Sequence, residues 1–418
     1  MGLIILTTLG GSNYAEATYR WQDYPQYTTK LVSAALAHWF PEAEVKVLLT
    51  PFAQQKNGAL LQELLPQAQA LPIANGETEE DSWNLFQTVA DTVPEGAEVI
   101  FDVTHGFRSL PIVTLLALSY LRIVKGVQLR AVVYGAWQAG QDTTPIFDLT
   151  PFAALLDWAQ AASRFQDTGD ARLFKELLEM KRQASYNAVS RQLETLFQAI
   201  FSNRGLAVPD EAAKLLRLLE KAQEGQLESH QRPFALVMQQ LEQQISPLAA
   251  SQDGRLRLEA EYALICWYAE RGHYPQALSL AREWLISVRQ WHELGRISMD
   301  EDERESLNAD VWAAIQQLQD GGDAESSETG VPGYPGLDAR LHAYAYATNQ
   351  VAKRRNDFMH FGFKNEPMTV KKVGPCSQKA LSLLPSAVRP FGLELEPPKG
   401  GDIPVSYTHL RAHETRED

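Results

Sequence analysis

The first 150 residues alternate between short apolar runs and amphipathic stretches, and that alternation narrows the fold more than any other feature of the chain. Leu3 to Gly10 (LIILTTLG) is strand-like. Tyr27 to Phe40 (YTTKLVSAALAHWF) has helical apolar spacing, with Thr28 or Thr29 as the expected cap. Glu44 to Thr50 (EVKVLLT) is strand-like again, a helical stretch covers Asn57 to Leu65, and Leu71 to Ile73 is a short apolar segment. Glu77 to Val93 carries acids in its first turn, as a helix start favours. Ala97 to Thr104 (AEVIFDVT) reads as a strand leading into a helix that runs through Leu121, and Val127 to Trp137 with Thr144 to Thr150 reads as a hairpin. This order predicts an α/β, Rossmann-like domain: a parallel, doubly wound sheet that binds ligands at the carboxyl ends of its strands.

Beyond Pro151 the pattern changes. Helical periodicity runs almost unbroken from Phe152 to about Ile297, so an all-α second half is expected. Tyr262 to Val288 reads as two helices about a turn at Gly272. Leu341 to Phe363 (LHAYAYATNQVAKRRNDFMHFGF) reads as one helix, with Gly362 as its C-terminal cap. Between these, Asp320 to Gly336 (DGGDAESSETGVPGYPG) has the composition of a mobile loop. From about Pro397 the chain is rich in Gly and Pro, and Val405 to Asp418 (VSYTHLRAHETRED) resembles translated vector sequence. His409 and His413 are spaced for a metal pair, but no third ligand accompanies them.

At 418 residues the chain exceeds one ordinary core, and a net charge of −14 argues against a general nucleic-acid coat. Any polyanion must be met by local basic groups. Cys266 and Cys376 form no CxxC and no zinc spacing, which fits a reducing cytoplasm and gives no reason to expect a metal or a cofactor. The apolar runs at the N-terminus and at Leu110 to Tyr120 are too short to span a membrane.

Two groups of residues carry chemistry. The first is a pair of strand-end turns. Thr7-Thr8-Leu9-Gly10-Gly11-Ser12-Asn13-Tyr14 offers glycines, through which backbone amides can approach a ligand. Asp102-Val103-Thr104-His105-Gly106-Phe107-Arg108-Ser109 places Arg108 and Ser109 at a helix start, an anion site in kind. Neither turn is a GxGxxG or a Walker loop.

The second group is Arg355, Asn356 and His360. Asn356 and His360 are four apart and share a helix face, with Arg355 beside it. Six Lys or Arg residues against two acids lie between Asn349 and Lys372. These groups suit attack by an RNA 2′-hydroxyl on the neighbouring phosphorus. His360 would move the proton, Arg355 would stabilise phosphorane charge, and Asn356 would orient the phosphate or the imidazole. One imidazole cannot easily act as acid and base together, which predicts a homodimer with a composite site.

The whole arrangement resembles the CARF–HEPN ribonucleases of type III CRISPR systems: a Rossmann-like sheet, a helical half and a late R-N-x-x-x-H. D-V-T-H-G-F-R-S-L-P, Asp102 to Pro111, is similar to one branch of them. The resemblance covers Met1 to about Pro390. It implies a first domain that binds a cyclic oligoadenylate, with cyclic tetra-adenylate the expected ring, and a helical domain that cuts single-stranded RNA without metal. It also implies a homodimer or an oligomer of dimers, and no membrane partner.

By the resemblance, Gly10, Ser12 and Asn13 match the first ligand turn, with Gly11 beside them, and Thr104, His105, Gly106, Arg108 and Ser109 match the second. His105 lies near the ring or serves structure. The expected divisions are 1–150 for the ligand-sensing domain and 151–297 for a helical linker with the first part of the HEPN region. The nuclease core follows at 298–396 with the insertion at 320–336, and a disordered or non-native tail at 397–418. A nucleotide-sensing regulator with an inert His360 is the alternative, and a nucleotide-dependent enzyme built on the first domain is a third reading.

Overall fold

The computed structural model describes residues 2–106, 109–137, 142–179, 184–223, 232–250, 254–320, 333–334, 336–363 and 365–396. Arg108, most of the 320–336 segment and the whole 397–418 tail lie outside the described residues. The chain divides into two compact units, Met1–Asp157 and Trp158–Asp418.

In the first unit the strands are β1 (Leu3–Leu9), β2 (Ala17–Arg20), β3 (Tyr27–Thr29), β4 (Glu44–Leu49), β5 (Gln69–Pro72), β6 (Glu98–Asp102), β7 (Gln128–Gly135) and β8 (Thr144–Asp148). The helices are α1 (Val32–Trp39), α2 (Pro51–Leu64), α3 (Glu79–Thr92) and α4 (Leu110–Val124). One eight-stranded sheet runs in the order β3-β2-β8-β7-β6-β1-β4-β5. Its middle, β7-β6-β1-β4-β5, is parallel, and β8 returns antiparallel to β7, as the hairpin reading expected.

Period-two alternation in β1 sets up both cores. Leu3, Ile5 and Leu9 face a cluster closed by Leu31 just before α1, by Leu36 of α1 and by Ala53 and Leu61 of α2. Ile4 and Leu6 face the opposite cluster, closed by Leu85 and Val89 of α3 and by Ala117, Leu118 and Leu121 of α4. Because β1 is covered on both faces, it reads as a continuous apolar run.

Among the parallel strands β4 flanks β1 on one side and β6 flanks it on the other. The carboxyl ends of β1 and β6 therefore form the topological switch point, where open α/β sheets bind ligands. Both turns singled out in the sequence lie there.

Three expectations need correction. Thr28 and Thr29 do not cap α1; they lie in β3, and α1 begins after Leu31 with no side-chain cap. The helix expected from Asn57 starts six residues earlier at Pro51, because Thr50 Oγ1 accepts the Ala53 amide at 3.2 Å. The strands β2 and β3 extend the sheet beyond β8, so it is mixed and not purely parallel.

No strand occurs among the described residues of the second unit. Its helices are α5 (Thr150–Thr168, in which the division falls), α6 (Arg172–Glu179), α7 (Ala184–Phe201), α8 (Val208–Gln223), α9 (Arg232–Ile245), α10 (Gly254–Glu270), α11 (Tyr274–Leu294), α12 (Glu301–Leu307), α13 (Ala309–Gln319), α14 (His342–Met359), α15 (Val370–Leu381) and α16 (Leu384–Val388). The hairpin of α10 and α11 turns at Gly272, whose φ of +72° is left-handed. Helix α11 packs on α10, α14 and α15. Trp284, nearly fully buried, donates its indole N–H to the Leu258 carbonyl at 2.8 Å, and Tyr344 donates to Asn308 Oδ1 at 3.2 Å.

Candidate functional site

At the switch point the two turns are built against each other. Asp102, fully buried, accepts from Thr7 Oγ1 at 2.8 Å and from the Thr104 amide at 2.9 Å, tying β1 to β6. Thr104 Oγ1 accepts the Gly135 amide at 2.8 Å and so anchors the turn to β7. Asn57, buried on α2, donates to the carbonyls of Gly10 at 2.7 Å and Ser12 at 3.0 Å. One carboxamide thus fixes the shape of the first turn. No motif pointed to Asn57; a lone carboxamide on the inner face of an amphipathic helix was its only signal.

The glycines answer to packing as well as to a ligand. A Cβ at Gly10 would lie 2.9 Å from the His105 carbonyl, one at Gly11 2.0 Å from the Phe52 ring, and one at Gly106 2.2 Å from Pro111. The Gly10 amide already donates to the Tyr14 hydroxyl at 3.0 Å. Ser12, Asn13 and Ser109 are exposed, and Ser109 makes no capping bond to α4, so these three hydroxyl and amide side chains face solvent at the turn.

His105 Nε2 accepts the Val32 amide at 3.3 Å, and its ring stands edge-on to Tyr14 at 4.5 Å. Burial pushes the imidazole below its ordinary pKa, with the Asp102 charge opposing. An acceptor Nε2 and a depressed pKa agree: this is a neutral imidazole joining the start of α1 to the second turn. Burial also raises the Tyr14 phenol, its bond with Gly10 counters this, and Asp102 adds to the rise.

The second group sits at the end of α14. The helix stops at Met359, and the His360 amide still reaches the Asn356 carbonyl at 3.2 Å, which keeps the two residues one turn apart. Both are exposed. The backbone turns left-handed at Phe361 (φ +50°) and again at Gly362 (φ +73°), whose amide reaches the Asp357 carbonyl at 3.2 Å. Gly362 therefore shares the capping turn with Phe361, and the helix ends sooner than expected. Asp357, 6% exposed, accepts the Met368 amide at 3.2 Å and holds the following loop against the helix. Phe361 and Phe363, each 87% exposed, flank His360 with unburied aromatic surface.

Arg355 goes another way. It lines a cavity of about 390 Å³ walled by α10, α11 and α12, and His360 is not among the lining residues. Its Nε is buried without a hydrogen-bond partner, and among the described residues it makes no ion pair. One chain thus brings Asn356 and His360 together and holds Arg355 in a neighbouring cavity.

Among the described residues no cluster of three His, Cys, Asp or Glu could hold a metal, and no helix is long and apolar enough to cross a membrane.

Comparison with known proteins gives likenesses to CRISPR-associated proteins. Residues 154–249 match the family described as CRISPR-associated protein MJ1674, second domain. CRISPR-associated protein MJ1674 of Methanocaldococcus jannaschii is 26% identical over 143 residues, which are 34% of this chain and 22% of that protein. The match therefore spans about a fifth of the relative's length. The structure of Enterococcus italicus Csm6 bound to cyclic hexa-2′-fluoro-hexa-dAMP superposes with a TM-score of 0.43 at 11% identity, over 94% of each chain.

Proposed function

We propose that this chain is a CRISPR-associated endoribonuclease of the CARF–HEPN type, switched on by a cyclic oligoadenylate and cutting single-stranded RNA without a metal. The observation that carries the reading is the α14 terminus, where Asn356 and His360 are exposed one turn apart and the adjoining Arg355 guanidinium is uncommitted. The D-V-T-H-G-F-R-S turn at the switch point and the MJ1674 match over residues 154–249 support the same reading.

In this mechanism the 2′-oxygen forms a bond to phosphorus and the bond to the 5′-oxygen breaks. One imidazole takes the 2′-proton and a second, from a two-fold mate, gives a proton to the leaving oxygen. The products are a 2′,3′-cyclic phosphate and a free 5′-hydroxyl. Arg355 turns toward the phosphorane oxygens and stabilises their charge. The ring binds at the turns of Gly10–Asn13 and Thr104–Ser109, with Arg108 as its main cation. It activates by binding the cleaving arrangement better than the idle one.

A fluorescent RNA cleavage assay in EDTA with cyclic tri-, tetra- and hexa-adenylate tests this. Cleavage is expected with one ring, tetra-adenylate. His360→Ala and Arg355→Ala should each lose activity by roughly 100-fold or more, the scale of a general acid–base group or a charge-stabilising donor. Arg108→Ala should raise the ring concentration needed. Cleavage that persists in His360→Ala sinks the mechanism, and an unchanged ring requirement in Arg108→Ala misplaces the ligand.

A further inference from the structure

The turn that follows α14 holds two aromatic rings that the core leaves out. Phe361 and Phe363 are each 87% exposed, one and three residues after His360. Single exposed apolar residues are ordinary on a protein surface, but these two are held in an unusual way. The Phe363 amide donates to the His360 carbonyl at 2.8 Å, which closes a four-residue turn with Phe361 and Gly362 at its centre. Both central residues are left-handed, at φ +50° and +73°. Such a turn favours Asn, Asp or Gly at its first central position, and a bulky side chain there is strained. Phe361 therefore works against its own backbone and gains no burial in return. Residues kept in this conformation cluster at active sites and ligand clamps.

The turn is also tied down. The Gly362 amide reaches the Asp357 carbonyl at 3.2 Å, and the buried Asp357 carboxylate accepts the Met368 amide at 3.2 Å. Both bonds end on the last turn of α14. They bring the start of α15 back toward that turn, and α15 opens on Lys371 and Lys372 with no acid in its first turn. Lys353, Asn356 and His360, at i, i+3 and i+7, share one face of α14. Lys353, Lys371 and Lys372 are exposed and make no ion pair among the described residues. From His360 to Lys372 the sequence has one acid, Glu366.

Flat apolar rings thus stand among unpaired cations on a chain of net charge −14. A matching ligand carries flat faces and negative charge along one strand. We propose that Phe361 and Phe363 form a stacking platform for the bases of single-stranded RNA, with Lys353, Lys371 and Lys372 holding its phosphates beside His360. Every base has a π-face, so the platform grips a strand without reading its sequence. A second copy of this chain fits less well as the occupant. A two-fold contact through this turn sets the lysines against their own images, and like charges oppose it. An anionic strand lying between the copies removes that opposition. The inference rests on the ribonuclease reading in one respect: the strand on the platform is then the substrate.

The test separates stacking from charge. Fluorescence polarisation on the full chain compares a short 2′-O-methyl RNA, whose blocked 2′-oxygen prevents cleavage, with an abasic strand of the same length and charge. Each is measured with and without cyclic tetra-adenylate. The base-bearing strand should bind roughly tenfold more tightly in at least one of the two states, the scale of one base–aromatic stack. The double variant Phe361→Gly, Phe363→Ser should bind both strands alike. Glycine suits the backbone at 361, so the unfolding transition should hold. Phe361→Trp with Phe363→Trp should keep the preference. Equal binding of the two strands by the native chain in both states, or a preference that survives in the folded double variant, overturns the platform. So does a loss of dimer in the double variant by light scattering, which would give the rings to a contact between copies.

Cleavage kinetics separate the platform from the parent reading. Loss of the rings should raise KM roughly tenfold and leave kcat nearly unchanged, because a stack holds substrate and transition state alike. A base preference in binding with no RNA cut leaves the platform standing and removes the ribonuclease. RNA cut with KM unchanged in the double variant removes the platform and leaves the ribonuclease.

Discussion

Asn57→Ala is the sharpest test of how the Gly10–Asn13 turn is built. The side chain is 7% exposed and its one amide nitrogen holds two carbonyls, Gly10 at 2.7 Å and Ser12 at 3.0 Å. Ser12 is exposed, so water can replace the lost donor there, and the loss is about 1 kcal/mol. Gly10 is buried, so its carbonyl is left unpaired at a cost of about 2 kcal/mol. Alanine returns about 0.5 kcal/mol through better helix propensity within α2. The net loss is about 2.5 kcal/mol. For a unit of this size that lowers the midpoint of its thermal transition by roughly 5–10 °C. Two units in one chain break a single two-state transition. The measurement is therefore amide hydrogen exchange, read separately on β1 and β6 and on α11. Protection should fall in the sheet and hold in α11. Asn57→Asp should be worse than alanine, because it turns an acceptor toward two acceptors. A loss below about 0.5 kcal/mol, or an aspartate as well tolerated as the alanine, would refute the claim that this carboxamide sets the turn.

Three further substitutions test other parts of the structure. Gly169 closes α5 with φ +74°, and a Cβ there would sit 2.0 Å from the Trp267 ring. Gly169→Ala should cost about 3 kcal/mol, roughly 1 for the left-handed backbone and 2 for overpacking, measured by denaturant unfolding of the helical unit. Gly272→Ala, at φ +72° with open space around it, should cost only about 1 kcal/mol; equal losses at the two sites would show that the Trp267 contact contributes nothing. His105 gives a pH dependence. Its folded pKa is depressed, so the unfolded chain binds the proton first, and stability falls as pH drops through the unfolded value of about 6.5 toward the folded one. His105→Gln should flatten that slope in the sheet unit between pH 7 and 5; an unchanged slope would place the titration elsewhere.

How far the sequence could be read follows from what each pattern encodes. The continuous apolar run of β1 and the shift to helical spacing after Pro151 report burial on two faces and on one stripe, and the sheet and the helical half follow from them. The strands β2 and β3 were not legible because ATYR and YTT are short, mixed in polarity and stabilised by pairing with β8 and with each other. Their threonines look like helix caps until the neighbouring strand is known. The same limit applies at the sites. A glycine invites the inference of a ligand approaching the backbone, yet Gly11 and Gly106 are each close-packed on a side chain, Phe52 and Pro111, that no local motif predicts. Spacing placed Asn356 and His360 on one helix face, since that depends only on 3.6 residues per turn. Spacing could not say where a side chain as long as Arg355 ends, because its direction depends on which partners lie within reach. Glu261 and Glu283, which line the same cavity, stand more than 70 residues before Arg355 in the sequence. If the ribonuclease mechanism holds, Arg355 must leave or rotate within that cavity to meet a phosphorane.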